Sequence, residues 1–212
     1  MIENLEVFTQ NSILVRNGEQ KIYIDPFKMN ATPKDADYIL ITHDHYDHFS
    51  PEDIRKVAGG ATIMIVPEKM AKKAEEVSDA VREIRTVQPG DTLSCEGFTL
   101  EAVPAYNVLK PFHPKHDRWV GYLITVGGEK IYIAGDTDAT DEAKSVCCDI
   151  ALLPIGGTYT MDAKSAAKLA NTIKPKIVVP VHYGGIVGEP GDGETFASLV
   201  DPSVKVEFKI AF

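Results

Sequence analysis

Apolar residues in this chain gather into short continuous runs bounded by turn formers, the pattern of strands covered on both faces. Two such runs span residues 37–43 and 149–155. Each follows a near copy of one segment, Glu-Gln-Lys-Ile-Tyr-Ile-Asp at 19–25 and Gly-Glu-Lys-Ile-Tyr-Ile-Ala-Gly-Asp at 128–136, so the chain carries an internal repeat. After the first run, Ser50, Pro51, Glu52 and Asp53 form a helix start: a serine cap, proline at the first helical position, and acids toward the positive end of the dipole. After the second, Ala163, Ala166, Ala167, Ala170 and Ile173 recur at helical spacing until Pro175 stops the run, and Thr160 is a candidate cap for that helix. Residues 176–182 read as another buried strand, and residues 204–210, alternating apolar with charged, as a half-exposed one. Two β-rich halves, each supplying a helix, predict an α/β fold of four layers: an αββα sandwich of two pseudo-repeated halves, with residues 1–212 as a single domain. Loops at one edge of such a sandwich gather the residues that end the strands, and there the chain places its His and Asp residues.

Composition narrows the function classes. The 212 residues are 44% hydrophobic, enough for one core. Lys and Arg total 22 against 31 Asp and Glu, a formal charge of −9, which disfavours a grip on phosphate backbones; no nucleic-acid partner is expected. The N-terminus lacks a basic segment leading into an apolar run, and no stretch approaches the roughly 18 apolar residues of a membrane span, so the expectation is a cytoplasmic protein without a span. Cys95, Cys147 and Cys148 are an odd set with two sequence neighbours, and a disulfide framework is not expected.

The densest chemistry lies directly after the first buried run, where His43, His45, Asp47 and His48 stand within six residues. In an extended or tightly looped backbone His43 and His45 project to the same side and can share one ion, whereas Asp47 and His48 suit a second ion a few ångströms away. A polar loop of capping residues is the structural alternative. Imidazole and carboxylate together suit zinc, iron or manganese. Asp136, taken alone, is more often a turn former than a ligand.

The order His43-x-His45-x-Asp47-His48, then Gly135-Asp136-Thr137, then His182 after an apolar strand resembles the metallo-β-lactamase superfamily, from about residue 11 to about residue 200. Ile24-Asp25-Pro26-Phe27, His45-Tyr46-Asp47-His48, Ala134-Gly135-Asp136-Thr137 and Leu153-Pro154-Ile155-Gly156-Gly157 are similar to the branch of L-ascorbate-6-phosphate lactonase-like and N-acylphosphatidylethanolamine phospholipase D-like proteins. The resemblance implies two divalent ions, zinc first with manganese or iron as alternatives. It makes Asp136 the carboxylate between them, His182 a ligand of the second, and Asp47 both a ligand and the catalytic residue that orients the attacking water. It also implies a third first-site histidine just after a strand ending in a Pro-Ala pair. Here that place reads Val103-Pro104-Ala105-Tyr106-Asn107, so Asn107 stands where His is sought; His113 and His116 follow, and His113 is favoured because Pro111 and Pro114 stiffen its backbone.

Around this core, Asp25 is a candidate partner for a ligand histidine or a turn residue before Pro26. The Lys- and His-rich segment 110–118 is a candidate anion site or a solvated loop, Tyr159 and the segment 119–122 read as core, and the Gly-rich residues 183–193 read as a flap or a surface loop. The short chain favours a small substrate, or a homo-oligomer in which a partner subunit completes the pocket. The expected activity is a metal-activated water attacking an ester, lactone or phosphodiester bond of a small anionic substrate. The alternatives are an iron-dependent oxidoreductase and a non-catalytic metal-binding protein.

Overall fold

The computed structural model describes residues 2–210. A first sheet carries β1 (Leu5–Thr9), β2 (Ser12–Asn17), β3 (Gln20–Ile24), β4 (Ala36–Leu40), β5 (Ala58–Pro67) and β6 (Glu83–Val87), side by side in that order. The second carries β7 (Thr92–Cys95), β8 (Phe98–Pro104), β9 (Val120–Val126), β10 (Glu129–Ile133), β11 (Ile150–Pro154), β12 (Ile177–Val181) and β13 (Lys205–Val206), in order from one edge to the other. Each sheet opens antiparallel and turns parallel, from β3 onward in the first and from β10 onward in the second.

The internal repeat is the reason for that symmetry. In β3, Ile22 and Ile24 face the other sheet while Tyr23 faces outward; in β10, Ile131 and Ile133 face inward and Tyr132 outward. The aspartate that opens the next strand is used identically: Asp37 accepts from the Lys21 amide at 2.8 Å, and Asp149 from the Lys130 amide at 2.9 Å. Inward residues of both sheets, among them Val15, Leu40, Ile65, Tyr122, Leu152 and Val179, interdigitate into a central core. At roughly 1.5–3 kcal/mol for each fully buried large aliphatic side chain, this layer is the main stabilising term.

Helices cover both outer faces. On the first sheet, α1 (Pro51–Val57) packs Ile54 and Val57, and α2 (Ala71–Ala74) packs Ala74, against Ile39, Ile41 and Met64. The second sheet is covered by α3 (Asp141–Lys144), α4 (Ala163–Ile173) and α5 (Asp192–Leu199), whose Ala143, Ala166, Ala170 and Phe196 meet Tyr132, Ala151, Leu153 and Val178. The four layers are those read from the sequence. Ser50 caps α1 as expected, accepting from the Asp53 amide. Cys95, Cys147 and Cys148 are unpaired, and no helix of the described residues is long and apolar enough to cross a membrane.

Two expectations are corrected. Asp162, not Thr160, caps α4, accepting from the Ser165 amide at 2.7 Å; Thr160 is buried and its hydroxyl bonds to the Met161 carbonyl. The strand expected over 204–210 is confined to Lys205–Val206. The amides of Lys205 and Glu207 reach the carbonyls of Lys176 and Val178, but the next donor of that ladder falls on Pro180, which has no N–H, and the pairing stops.

Candidate metal centre

The carboxyl ends of the parallel strands of both sheets meet at one edge, the position where open α/β sheets place their ligands. From β4 the chain runs through Thr42 into His43, His45, Asp47 and His48; from β10 through Gly135 into Asp136; and from β12 into His182. Gly135 has φ +64°, and a Cβ there would lie 3.2 Å from both the Thr42 side chain and the Val120 carbonyl, so a glycine lets the β10 turn close against the His43 segment. Asp25, His113 and His182 hold the left-handed conformation without being glycine, at φ 45°, 55° and 55°, strain of the kind that concentrates at functional sites.

Two groups of donors result. His43, His45, His113 and Asp136 form one, and Asp47, His48 and His182 the other, with the ligand-capable atoms of each group within 4.8 Å of one another. Asp136 lies between them. Its Oδ2 is 3.8 Å from His43 Nε2 and 3.4 Å from His113 Nε2, and its Oδ1 is 3.4 Å from both His48 Nε2 and His182 Nε2. Asp47 Oδ2 is 3.2 Å from His182 Nε2 and 3.6 Å from His48 Nε2.

The donor set fits divalent cations. Metal–nitrogen bonds of 2.0–2.1 Å arranged tetrahedrally put ligand atoms about 3.3 Å apart. The His43 Nε2 to His45 Nδ1 and His48 Nε2 to His182 Nε2 distances are both 3.1 Å. Both ring nitrogens of His113 and Oδ1 of Asp136 are buried without a hydrogen-bond partner, a costly arrangement for groups that no cation satisfies.

Electrostatics agree. Burial, then the neighbouring imidazoles, holds His43 well below its ordinary value; burial, only partly opposed by Asp136, lowers His113 to about 4, so both stay neutral. Burial also opposes charge on His48, but Asp136, Asp25 and Asp47 outweigh it and raise that imidazole to about 9, so this corner attracts positive charge. Asp47 is pushed up by burial and down more strongly by His182 and His48, and lies well below the carboxylate range.

The structure also places the residues left open by the sequence. His113, in the loop between β8 and β9, joins the first group, whereas His116 stands 83% exposed beside Asp117. Asn107 is the buckle of the His113 loop: its amide donates to the His113 carbonyl at 2.8 Å, and its side chain to the carbonyls of Phe112 and Tyr159. Asp25 accepts from His48 Nδ1 at 2.8 Å, which turns Nε2 toward the site. Lys110 bonds to Asp138 and to the Thr160 carbonyl, and Lys115 to Glu142 and the Tyr106 hydroxyl, so both lysines of the basic segment are paired with acids, while Arg118 bonds to the Gln88 side chain. Tyr122 is core, its hydroxyl bonded to the Ile41 carbonyl, but Tyr159 lines a cavity beside the two donor groups, as do Ile186 and Val187 of the Gly-rich segment.

Sequence reasoning missed Asn11, Thr42 and Gln10. Asn11 and Thr42 donate to Asp25 at 2.7 and 2.6 Å, and the Gln10 carbonyl receives the His182 amide at 3.0 Å. Gln10 and Asn11 form the β1–β2 turn, whose sequence is that of any polar turn; only Thr42, adjacent to His43, had a positional signal.

Comparison with known proteins agrees with this architecture. Residues 4–182 match the beta-lactamase superfamily domain. The chain is 33% identical over 205 residues to a UPF0173 metal-dependent hydrolase of Pyrococcus abyssi, covering 89% of this chain and 88% of that protein. It is 32% identical over 198 residues to a UPF0173 metal-dependent hydrolase of Thermus thermophilus, covering 88% and 86%. Among solved structures, a protein of Parabacteroides distasonis described as a metal-dependent hydrolase superposes with a TM-score of 0.82 at 32% identity, over 98% of this chain and 93% of that one. With a matching domain over most of its length and curated relatives aligned nearly end to end, the chain belongs to the metallo-β-lactamase superfamily and, within it, to the UPF0173 metal-dependent hydrolases.

Proposed function

We propose that this metal-dependent hydrolase works with two divalent ions, zinc first among them, on an ester, lactone or phosphodiester bond of a small substrate. His43, His45, His113 and Asp136 Oδ2 would hold one ion; His48, His182, Asp47 and Asp136 Oδ1 the other. The observation that carries the reading is Asp136, which offers one carboxylate oxygen to each donor group while its Oδ1 finds no hydrogen-bond partner. Bound there, such ions supply an acidified water and offset the negative charge that develops on the attacked bond.

The protein's own residues do the rest. Asp47, ionised across the working pH range and lining the cavity, orients the water and accepts its hydrogen bond. Asp25 fixes the His48 ring so that Nε2 faces inward. The hydroxyl of Thr42 lies 3.0 Å from His43 Nδ1 and does the same for that ring.

Metal analysis of protein purified without added metal tests the stoichiometry. About two ions per chain are expected, falling to about one in His113→Ala and unchanged in His116→Ala, with hydrolysis lost in His45→Ala. A His113→Ala protein that keeps the full complement would overturn the assignment of the first site. A visible iron absorption band together with oxidative turnover would replace the hydrolytic zinc reading by the redox alternative.

A further inference from the structure

The cavity over Asp136 and Asp47 measures about 230 Å³. Above the candidate ligands its walls are Tyr46, Phe112, Tyr159, Ile186 and Val187, and among the described residues no lysine or arginine lines it. Phe112 and Tyr159 meet edge to face with centroids 4.7 Å apart, and Asn107 ties down both backbones, donating to the carbonyls of Phe112 at 3.0 Å and Tyr159 at 2.7 Å. One wall is therefore tied to the fold by its own hydrogen bonds. Tyr46 is 65% exposed and Phe112 42%, and Phe27 supports Tyr46 edge-on at 6.0 Å. Large apolar side chains held in water around a polar cluster mark a surface that binds.

Charge points the same way. An anionic substituent away from the reacting bond needs a cation to meet it, and the basic side chains of the adjoining loops are engaged elsewhere. Lys110 and Lys115 lie in the ion pairs described above, Lys73 bonds to the Asp44 carbonyl, and Lys28 sits over the Phe27 ring at 5.4 Å. We infer that the substrate is an uncharged carboxylic ester or lactone with a short apolar acyl or aryl group, which Phe112, Tyr159, Ile186 and Val187 receive while the ester carbon sits over Asp136. The inference rests on the metal-hydrolase reading and narrows its substrate; the anionic substrate expected from the Lys-rich segment is not retained. The cavity lies below the roughly 300–1,000 Å³ of pockets for drug-sized ligands, which matches a short acyl or aryl group rather than a long chain. In the reaction the oxygen of water bonds to the acyl carbon, the acyl C–O bond breaks, and a proton from the water passes to the departing oxygen. An acid and an alcohol result, joined in one molecule when the substrate is a lactone.

The test uses the zinc-loaded full chain with p-nitrophenyl esters from acetate to hexanoate, and bis-p-nitrophenyl phosphate as the anionic comparator. In parallel, alkyl ketones of matched length, which cannot be hydrolysed, are titrated calorimetrically. kcat/KM should rise about tenfold or more along the ester series, exceed that for the phosphate diester, and lose its length dependence in Phe112→Ala and Ile186→Ala. Ketone affinity should follow the same order and fall about tenfold for the longest member in Phe112→Ala, whose melting temperature should match the parent because the ring is half in solvent. A flat ester series, preference for the phosphate diester, or ketone binding indifferent to Phe112→Ala would overturn the inference. Length-ordered ketone binding with no turnover of any ester would instead remove the hydrolytic reading and leave the apolar pocket supported.

Discussion

Asp25 accepts from the side chain of Asn11, from the amide and hydroxyl of Thr42, and from His48 Nδ1, all while fully buried. A carboxylate so completely satisfied is held in one place, and it holds His48 in one place. Replacing it by alanine removes the carboxylate that orients the ring and leaves Nδ1 only the Thr42 hydroxyl, 3.3 Å away. Asp25→Ala should therefore weaken the second-site ion about 10–100-fold, read by competition with a chromophoric chelator, while the first-site ion keeps its affinity. Equal weakening of both sites would show that Asp25 supports the fold generally, and no weakening would remove it from the site. Asn107 shows the same logic by another route: it stands where a ligand was sought, and its hydrogen bonds hold the loop that brings His113, six residues on, into the first donor group.

At the scale of elements, α1 follows His48 after a single turn, and its first turn is tied to the chain that precedes β4. Asp53 accepts from the amides of Lys28 and Met29 at 2.9 and 3.0 Å, from the Ser50 hydroxyl at 2.8 Å and from Lys56 at 2.9 Å. Burial alone would raise this carboxyl, but the bonds from Lys56, Ser50 and the two amides lower it below its ordinary value. A carboxyl depressed in the folded state contributes stability that is present above its unfolded value, about 3.9, and is lost as pH falls through the folded value. Asp53→Asn should cost about 1–3 kcal/mol at neutral pH, and the gap should close as the pH is taken below about 3.9, measured as urea midpoints of the two proteins. A gap independent of pH would mean that shape rather than charge is at stake.

For the whole molecule, the donors come from both halves of the repeat: His43 to His48 from the first sheet's side, Asp136 and His182 from the second's, and His113 from the β8–β9 loop. Ions held there would cross-link the two sheets at one edge. Ligand that binds only the folded state stabilises by about 2.7 kcal/mol at a hundred times its dissociation constant. At roughly 2–4 °C per kcal/mol for a domain of this size, chelation should lower the melting temperature by on the order of 5–10 °C, with recovery on re-addition of zinc, followed by calorimetry. An unchanged melting temperature would mean that the donors bind no ion tightly.

What the sequence determined by itself was local. Buried strands, the start of α1, the span of α4 and the cluster from His43 to His48 are each written in a short local window, at most the 11 residues of α4, where period, capping and ligand density act between near neighbours. The repeat then placed the two sheets. What only the tertiary structure decided was which groups left open by the sequence meet: Asn11 with Asp25, the Gln10 carbonyl with the His182 amide, and His113 rather than His116 or Asn107 in the first donor group. It also decided that Lys110 and Lys115 are paired with Asp138 and Glu142, and that aromatic and aliphatic walls stand over the donor groups. The physical reason is the same in each case. A side chain's chemistry is a property of its residue, but its partner, its burial and the direction of its ring depend on how the two packed sheets bring separate loops to one edge.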